Sequence, residues 1–287
     1  MKEFKNKVAV ITGAGSGIGF ALAERCAKEG MKVVLADIDE KFLKSAGRKL
    51  KRIGATFTKI LTDVSKASDV EALAKKTLDT YGEINLLINN AGIGNTKYTW
   101  NYTLKDWEWQ LGVNLWGVIH GVRIFTPIML KQGGECHIVN VSSMEGLASG
   151  SGPGGAIYGV SKHGVVSLTE TLRTDLKLKG SDLKVSVVCP GFVNTKIFLG
   201  DIHRPKEFLN PSGDAVESTR GEDYLAQYAT NIDDVLKQTS LMPSNEAADI
   251  IFQGIKDEKL YIFTHKDPLM KRLVKERFDE IFDELDN

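Results

Sequence analysis

Residues 8–19 read VAVITGAGSGIG, an apolar, β-branched run followed at once by four glycines at alternate positions. The run is typical of a buried strand, and the FALAERCAKEG segment after it has the apolar spacing of a helix. Glycines at such a junction permit a tight turn and let backbone N–H groups and the helix N-terminus approach a pyrophosphate. Glycines also serve plain turns, but their place at the first strand-to-helix junction favours a nucleotide site.

The same alternation of strand and helix patterns continues along the chain. Strand-like apolar runs lie at 8–12, 32–37, 57–63, 84–91, 136–143, 184–191 and 260–265. Helical periodicity lies between them, at 18–29, 39–53, 68–80, 105–130, 158–179 and 245–256. Continuous apolar strands separated by helices form parallel sheets that are covered on both faces. The sequence therefore predicts an α/β, Rossmann-like fold, with a doubly wound parallel seven-stranded sheet, helices on both faces and a single domain over 1–287.

Composition excludes several classes of function. Lys and Arg together number 37, as do Asp and Glu, so the 287 residues carry no formal net charge. That balance gives no electrostatic reason to expect nucleic acid or an anionic membrane as a partner. No apolar run approaches the roughly 18 residues of a membrane-spanning helix. We expect neither a nucleic-acid nor a membrane partner.

The cysteines and histidines are scattered. Cys26, Cys136 and Cys189 form no CxxC pair, which argues against a disulfide framework or a structural zinc site. The five histidines are equally dispersed, so we expect no metal site. The N-terminus passes from polar residues directly into a strand pattern, without the core of a signal peptide. A cytoplasmic location is the expectation.

Two segments depart from the alternation. Residues 195–240 contain Pro205, Pro211, scattered apolar residues and many polar ones, and so long a connection predicts a substrate-binding loop or lid. Residues 266–287 predict an amphipathic helical extension. Its apolar stripe comprises Met270, Leu273, Val274, Phe278, Ile281, Phe282 and Leu285. The mixed charge around the stripe favours packing against its own domain or a sister subunit over packing on a membrane.

Asp37 closes the second strand, 18 residues after Gly19. A carboxylate there can accept hydrogen bonds from the ribose hydroxyls of an adenine dinucleotide and would repel a 2′-phosphate. No Arg or Lys lies within GAGSG or directly after Asp37 to bind that phosphate, and Lys41 is the nearest basic residue downstream. We therefore expect NAD as the cofactor in preference to NADP.

Two further motifs lie at strand ends. Asp63 ends the third strand, where its carboxylate could accept from the adenine amino group, and NNAG at 89–92 ends the fourth. The asparagine amides there could tie neighbouring strands or line the cofactor. The carboxyl ends of parallel strands form the binding edge of an open α/β sheet. The predicted cofactor site comprises Gly13, Ser16, Gly17, Ile18, Gly19, Asp37, Asp63, Val64, Asn90, Ala91 and Gly92.

YGVSK places Tyr158 and Lys162 four residues apart, on one face of a predicted helix. A phenol is a weak base at neutral pH, and a nearby cation favours its ionised form. Tyr158 could then take a proton from an alcohol or return one to a ketone. The hydroxyl of Ser143, or otherwise Ser142, could hold the substrate oxygen. An isolated pair of this kind is more often structural, but the glycine turn in the same domain favours chemistry.

Together these motifs resemble those of the short-chain dehydrogenase/reductase family. The match covers roughly residues 5–195 and extends less distinctly to about 265. TGxxxGxG, NNAG and YxxxK are all present, with an asparagine in GVNLWGV, a serine in VNVSS and a PG pair after the sixth strand. They stand at Thr12 to Gly19, Asn89 to Gly92, Tyr158 to Lys162, Asn114, Ser143 and Pro190-Gly191.

The resemblance implies a catalytic tetrad of Asn114, Ser143, Tyr158 and Lys162, with Asn114 helping to hold a water that relays protons past Lys162. It implies that Tyr158 and Lys162 also bind the nicotinamide ribose. Thr195 and the backbone of Val193 would hold the carboxamide. It further implies a homodimer or homotetramer built on the two long central helices.

One spacing departs from the family pattern. Members commonly place the serine 13 residues before the tyrosine, where this sequence has Glu145, whereas Ser143 lies 15 residues before it. The strand IVNVSS anchors Ser143, so the glycine-rich link SGSGPGG is interpreted as holding a two-residue insertion.

The resulting prediction is an enzyme that transfers hydride reversibly between NAD and a secondary alcohol or ketone as its small-molecule substrate. Apolar residues within 195–210 and aromatic residues within 98–109 suggest a bulky, mainly apolar molecule, such as a steroid or another cyclic or long-chain alcohol. Two alternatives stay open. They are a catalytically idle NAD-binding or regulatory protein, and an NADP-dependent ketone reductase.

Overall fold

The structure is a computed structural model that describes residues 1–95, 97–148, 155–197, 203–210, 241–266 and 268–286. Seven strands form one sheet, and every neighbouring pair is parallel. In chain order they are β1 Val8–Thr12, β2 Lys32–Asp37, β3 Phe57–Leu61, β4 Leu86–Asn89, β5 His137–Val141, β6 Lys184–Cys189 and β7 Tyr261–Phe263. Across the sheet the order is β3-β2-β1-β4-β5-β6-β7, which confirms the predicted doubly wound sheet.

Helices connect the strands. They are α1 Gly17–Lys28, α2 Glu40–Arg52, α3 Ala67–Tyr81, α4 Leu104–Leu111, α5 Gly117–Gln132, α6 Ala156–Leu178, α7 Ser244–Lys256 and α8 Pro268–Leu285. A π-helical turn, Gly112–Trp116, joins α4 to α5. Short 3-10 turns lie at Thr99–Asn101, Met144–Gly146 and Lys206–Phe208. Helix α8 confirms the predicted C-terminal helical extension.

Two apolar layers, one on each face of the sheet, hold the fold together. Alternate residues of β1 point into different layers, Ile11 into one and Val10 into the other. The first layer contains Leu22 of α1 and Phe252 of α7, whereas the second contains Phe125 of α5. Because both faces of each central strand are buried, the strands read as continuous apolar runs.

The strand order reverses at β1, which pairs with β2 on one side and β4 on the other. In open α/β sheets a ligand crevice forms at such a switch point, outside the carboxyl ends of the strands. Buried asparagines stiffen this edge, since Asn89 donates to Asn140 at 2.8 Å and Asn140 donates to Thr169 of α6 at 3.0 Å. The amides of the fourth and fifth strands thus tie neighbouring elements together.

The stretch from Leu104 to Gln132 is continuous in helical form, with a mean hydropathy of 1.3 over its most apolar part. By length and composition alone it could cross a membrane. In the fold it lies against the sheet, and its Phe125 and Met129 are buried in the core. These contacts are those of a core helix.

The predicted stripe of the tail is only partly buried. Leu273 and Val274 are half-buried, and Val274 packs against an apolar cluster that includes Met144 and Phe192. Phe282 and Leu285, farther along α8, are 58% and 74% exposed. Of the predicted lid, 198–202 and 211–240 lie outside the described residues, as does the side chain of Met270.

Candidate active site

The glycine turn after β1 is a backbone cradle that side chains would fill. A Cβ on Gly15 would lie 2.8 Å from Asp37 Oδ2, and one on Gly19 would lie 2.2 Å from the carbonyl oxygen of Gly13. Gly13 and Gly17 adopt φ values of 63° and 52°, which favour glycine. The turn therefore needs these glycines, and it leaves the start of α1, with Ser16 as N-cap and Ile18 in the first turn, facing the crevice.

The end of β4 is locked to the glycine turn. Thr12 Oγ1 accepts hydrogen bonds from the backbone N–H groups of Asn90 and Ala91, at 2.9 and 3.1 Å. The Asn90 side chain donates back to the carbonyl oxygen of Thr12 at 2.9 Å. The predicted positions Asn90, Ala91 and Gly92 therefore form the wall beside Gly13.

Asp37 faces the glycine turn from the end of β2. Its Oδ2 accepts a hydrogen bond from Gly15 N at 2.8 Å, and its Oδ1 accepts from Asp39 N at 2.9 Å. Burial raises the pKa of the Asp37 carboxyl, although the hydrogen bonds from Asp39 and Gly15 act against this effect. The carboxylate is held in place where the predicted ribose site lies.

Asp63 contacts Ser65 and Lys66, just before the start of α3. Its Oδ1 accepts from the hydroxyl of Ser65 at 2.6 Å, and its Oδ2 lies 3.2 Å from the Lys66 ammonium. Val64 packs against α5, because a Cβ on Gly117 would lie 2.8 Å from Val64 Cγ2. The role of Asp63 as an acceptor for an adenine amino group stays a prediction.

The segment after β6 lies opposite the glycine turn. Val193 bridges to Met242, and Thr195 Cγ2 lies 3.3 Å from where a Cβ on Gly17 would be. The carbonyl oxygen of Ile197 accepts from Gly94 N at 2.9 Å. Thr195 therefore lies close to the start of α1, and the roles of Val193 and Thr195 toward the carboxamide stay predictions.

At the other end of the crevice, α6 carries Tyr158 and Lys162. The Lys162 side chain is buried, and its Nζ atom lies 5.4 Å from the centroid of the Tyr158 ring. It donates a hydrogen bond to the carbonyl oxygen of Val141 at 3.0 Å. Burial lowers the pKa of Lys162 to about 8, because removal from water disfavours the charged form.

Tyr158 is protonated over the whole neutral range. Burial raises the pKa of its phenol to about 12, while a hydrogen bond with Ser143 acts to lower it and the charge of Glu145 acts to raise it. The sequence led us to expect Lys162 to favour the phenolate. In the protein alone burial outweighs the hydrogen bond with Ser143, so the phenol is a proton donor at neutral pH.

The two serines at the end of β5 have different contacts. Ser142 is buried and its hydroxyl donates to the carbonyl oxygen of Lys162 at 2.8 Å, which ties β5 to α6. Ser143 accepts from Glu145 N at 3.2 Å and bonds with Tyr158. Ser143 is therefore the serine that meets the phenol. Most of the glycine-rich link interpreted as an insertion, 149–154, lies outside the described residues.

Asn114 is fully buried in the π-helical turn. Its side chain accepts from Ile93 N and donates to Ile93 O, both at 2.9 Å, and it lies 3.3 Å from the hydroxyl of Ser161. A Cβ on Gly92 would lie 3.5 Å from Asn114 Oδ1 and 3.6 Å from Lys162 Nζ. Asn114 and Lys162 therefore flank the same glycine. The proton-relaying water that Asn114 is expected to hold stays a prediction.

Sequence reasoning missed a buried ionic cluster beside the crevice. Asp106 of α4 lies 2.6 Å from the Lys97 ammonium and 2.6 Å from the Arg204 guanidinium. Arg204 also lies over the Trp109 ring, 5.0 Å from its centroid. The spacing of Thr103 and Asp106 matches a capping box, which the structure contains, but no local signal pairs Asp106 with Arg204.

The residue before Arg204 reaches the opposite side of the crevice. His203 Nδ1 lies 3.6 Å from Asp39 Oδ2, and its ring contacts Phe42 with centroids 5.5 Å apart. A surface cavity of about 410 Å³ lies here, lined by His203, Asp39, Lys41 and Ile38 among others. The described part of the predicted lid thus bridges the start of α2 and α4.

A sequence model of the short chain dehydrogenase family matches residues 7–202. The chain belongs to this family. It is therefore an oxidoreductase that acts on CH–OH groups, as the resemblance implied. The family match covers the glycine turn, the NNAG segment, the serine and the tyrosine-lysine pair.

Relatives of this short-chain dehydrogenase extend over nearly the whole chain. A CLA biosynthesis dehydrogenase/reductase of Lactiplantibacillus plantarum is 36% identical, over 96% of this chain and 94% of the relative. A 1-deoxy-11-beta-hydroxypentalenate dehydrogenase of Streptomyces avermitilis is 32% identical, over 90% and 84%. A crystal structure of a short-chain dehydrogenase/reductase from Burkholderia phymatum in complex with NAD has a TM-score of 0.89 and 40% identity, and the likeness covers 99% and 97% of the two chains.

The crevice of this short-chain dehydrogenase fits a dinucleotide. The cradle has no room for a Cβ at Gly13, Gly15 or Gly19, and the N-terminus of α1 lies within it, as a pyrophosphate requires. Asp37 stands at one end and Tyr158 at the other. These residues could bind a nicotinamide cofactor along the sheet edge and leave a proton donor beside its reactive end.

Proposed function

We propose that the protein is an NAD-dependent dehydrogenase that converts a bulky, mainly apolar secondary alcohol and the corresponding ketone into one another. The observation that carries the proposal is the cluster of Ser143, Tyr158 and Lys162 at the sheet edge that also bears the glycine cradle. When bound, NAD supplies a hydride acceptor. The protein contributes orientation and control of one proton.

Each residue of the proposed tetrad has a distinct task. Ser143 holds the substrate oxygen and Tyr158 exchanges the hydroxyl proton with it. Lys162 supplies positive charge beside the phenol and lies against the ribose position. Asn114 fixes the Ile93 backbone beside Gly92. The remaining proposed cofactor contacts are Gly13, Ser16, Gly17, Ile18, Gly19, Asp37, Asp63, Val64, Asn90, Ala91, Gly92, Val193 and Thr195.

Replacing Tyr158 with phenylalanine tests the chemistry. We expect Tyr158→Phe to lose at least about a hundredfold in kcat, the usual contribution of a general acid or base, while NADH still binds. Fluorescence titration with NADH and steady-state turnover of one identified alcohol measure the two properties. Retained turnover in a variant that binds NADH would show that Tyr158 is not the acid or base. A native protein that binds NADH but turns over none of the alcohols or ketones offered would favour the idle cofactor-binding alternative.

The preference for NAD rests on Asp37. Its fixed carboxylate would accept hydrogen bonds from the ribose hydroxyls and would repel a 2′-phosphate. Dissociation constants for NADH and NADPH should differ strongly in the native protein and converge in Asp37→Ala. Glu40→Gln is the matched control, because Glu40 lies nearby but is exposed and pairs with Lys44. Tighter binding of NADPH to the native protein would establish the NADP-dependent alternative instead.

The substrate class rests on the aromatic and apolar residues beside the crevice. Trp100, Leu104 and Leu209 are exposed near the segments that hold Lys97 and Arg204. The name of the Streptomyces avermitilis relative denotes oxidation of a β-hydroxyl group, which agrees with a secondary alcohol. Oxidation with NAD should be screened across steroids, cyclic and long-chain alcohols, sugar alcohols and hydroxyacyl thioesters. Activity confined to sugars or thioesters would overturn this assignment.

The rest of the organisation is proposed on the same basis. Residues 1–287 form one domain with 195–240 as its substrate lid, whose described part contacts Asp39 on one side and Asp106 on the other. The enzyme works as a homodimer or homotetramer in the cytoplasm. Trp116 and Val160, half-exposed at the start of α5 and on α6, would be covered in such an assembly. Light scattering of the purified protein measures its mass.

A further inference from the structure

The middle of α8 is attached to the candidate active site through Arg277. Arg277 Nη1 lies 2.7 Å from the carbonyl oxygen of Leu147 and 2.8 Å from His163 Nε2. Val274, one turn earlier, packs against the apolar cluster that contains Met144. Leu147 and Met144 belong to the segment that follows Ser143, whereas His163 belongs to α6. Arg277 therefore joins two separate elements.

The hydrogen-bond partners of His163 determine which of its ring nitrogens carries the proton. Its Nδ1 atom lies 3.0 Å from the carbonyl oxygen of Gly159, which can only accept. Nδ1 therefore carries the proton, and in the neutral ring Nε2 then has a lone pair. Arg277 can only donate, so Nε2 is its acceptor. With the proton on Nδ1, the ring donates to the carbonyl oxygen of Gly159 and accepts from Arg277.

The two elements joined by Arg277 carry the proposed catalytic groups. Ser143 begins the segment that ends at Leu147, and Glu145 N donates to Ser143 Oγ at 3.2 Å. His163 follows Lys162 directly and lies one turn after Gly159, the neighbour of Tyr158. The Glu145 side chain also reaches this face of α6, since a Cβ on Gly159 would lie 3.8 Å from its Oε1.

We propose that Arg277 is a positioning residue, which makes the C-terminal helix part of the active-site wall by holding the Ser143 segment against α6. The inference rests on the proposed function. Ser143 must meet Tyr158 and the substrate oxygen at hydrogen-bond distance, and the chain between the two elements includes a glycine-rich link. The bridge through Arg277 supplies a constraint from outside that link.

The test replaces Arg277 with methionine, which keeps much of the apolar stem but removes the donors. We expect kcat to fall about tenfold to a hundredfold, because a displacement of about 1 Å in a reacting group has effects of that size. The dissociation constant for NADH should change little, since no described contact joins Arg277 to the cofactor crevice. Arg277→Lys keeps a cationic donor but lacks the forked guanidinium. We expect its kcat to lie between those of the native protein and Arg277→Met.

Arg272→Met is the matched control. Arg272 lies on the same helix, is exposed and pairs with Glu276, so its loss should leave kcat unchanged. His163→Phe and Arg277→Met are then combined in a double-mutant cycle. If the two residues act together, the double variant should lose little more kcat than either single variant. If Arg277→Met fails to fold, His163→Phe alone decides by the same criteria of kcat and NADH affinity.

The outcomes separate this inference from the proposed function. Native kcat in Arg277→Met, or equal losses in Arg277→Met and Arg272→Met, would overturn the positioning role. A loss confined to thermal stability or NADH affinity would also overturn it and leave α8 a structural element. If Tyr158→Phe is inactive while Arg277→Met is fully active, only this inference fails. If Tyr158→Phe keeps its activity, the proposed function itself fails.

Discussion

The Nζ atom of Lys162 lies 3.0 Å from the carbonyl oxygen of Val141, where β5 ends. This contact fixes the lysine of α6 to the sheet edge and removes it from water. The residue is only 2% exposed, and burial lowers the pKa of Lys162 to about 8. The proposed catalytic cation is therefore held where its charge is unfavourable, and folding and proton binding must be linked.

This linkage predicts that the contribution of Lys162 to stability rises with pH above neutrality. An unfolded lysine titrates near pH 10.4, so from about pH 8 upward the unfolded chain holds a proton that folded Lys162 has lost. Between pH 7.5 and 9.5 we expect this group to add about 2 kcal/mol to the free energy of unfolding. Urea unfolding of the native protein and Lys162→Met at both pH values measures it. Equal pH dependence in the two proteins would contradict the prediction.

The raised pKa of Tyr158 acts in the opposite direction but at higher pH. A folded pKa of about 12 stabilises the protein fully below pH 10, and that stability is lost between about pH 10 and 12. The pH window for the Lys162 experiment therefore ends below the range in which Tyr158 titrates.

We predict that Ser143 is needed for activity and Ser142 for stability. Ser143→Ala removes the hydroxyl that bonds with Tyr158, and we expect kcat to fall at least about tenfold with little change in stability. Ser142→Ala removes the buried bond to the Lys162 carbonyl, and we expect it to lower the free energy of unfolding by about 1 kcal/mol. The two variants control for each other in turnover and in urea unfolding. The reverse pattern would assign the catalytic role to Ser142.

Much of the fold could be read from the sequence because buried parallel strands are continuous apolar runs. The observed strands fall within the predicted ones, and the predicted ends were too long mainly where motif residues such as Ser143 follow a strand. The glycine turn was equally readable, since Gly13 and Gly17 have left-handed φ values that few other residues adopt.

Contacts between distant segments could not be read in the same way. Arg204 is separated by almost a hundred residues from Asp106, and the capping box that contains Asp106 does not indicate Arg204 as a partner. Arg277 reaches Leu147 across an even longer separation. Periodicity shows which face of a helix is apolar, but it does not show which polar side chains meet when elements pack. The raised pKa of Tyr158 escaped prediction for a related reason, since burial is a property of the packed site.

The Asp106 cluster predicts a large loss of stability. Burial acts to raise the pKa of Asp106, but hydrogen bonds from Lys97, Thr103 N and Arg204 outweigh it and lower the pKa to about 2. Asp106→Asn leaves two cations without their carboxylate, and we expect a loss of about 3–5 kcal/mol in the free energy of unfolding at pH 7. Urea unfolding measures it, with Glu108→Gln on the exposed side of α4 as the control.

The pH dependence of the Asp106 contribution has a definite sign. A folded pKa below the unfolded value stabilises the protein above about pH 4, and this stability is lost as the pH falls toward 2. The native protein should therefore lose stability in that range, whereas Asp106→Asn should lose less of it. A loss below about 1 kcal/mol in Asp106→Asn at pH 7 would show that Lys97 and Arg204 find other partners or water.

Gly19 predicts how little space the cofactor cradle allows. A Cβ there would lie 2.2 Å from the carbonyl oxygen of Gly13 and 2.5 Å from Asn90 Nδ2, so backbone on one side and a hydrogen-bonded amide on the other must move. Overpacking of this kind costs about 1–3 kcal/mol, and the displacement falls on the N–H groups that would face a pyrophosphate. We expect Gly19→Ala to weaken NADH binding at least about tenfold in a fluorescence titration.

Gly112→Ala is the matched control, because Gly112 is helical and its Cβ would meet only Ser65 Cβ at 3.5 Å. Native NADH affinity in Gly19→Ala would mean that the turn does not bind the cofactor through its backbone.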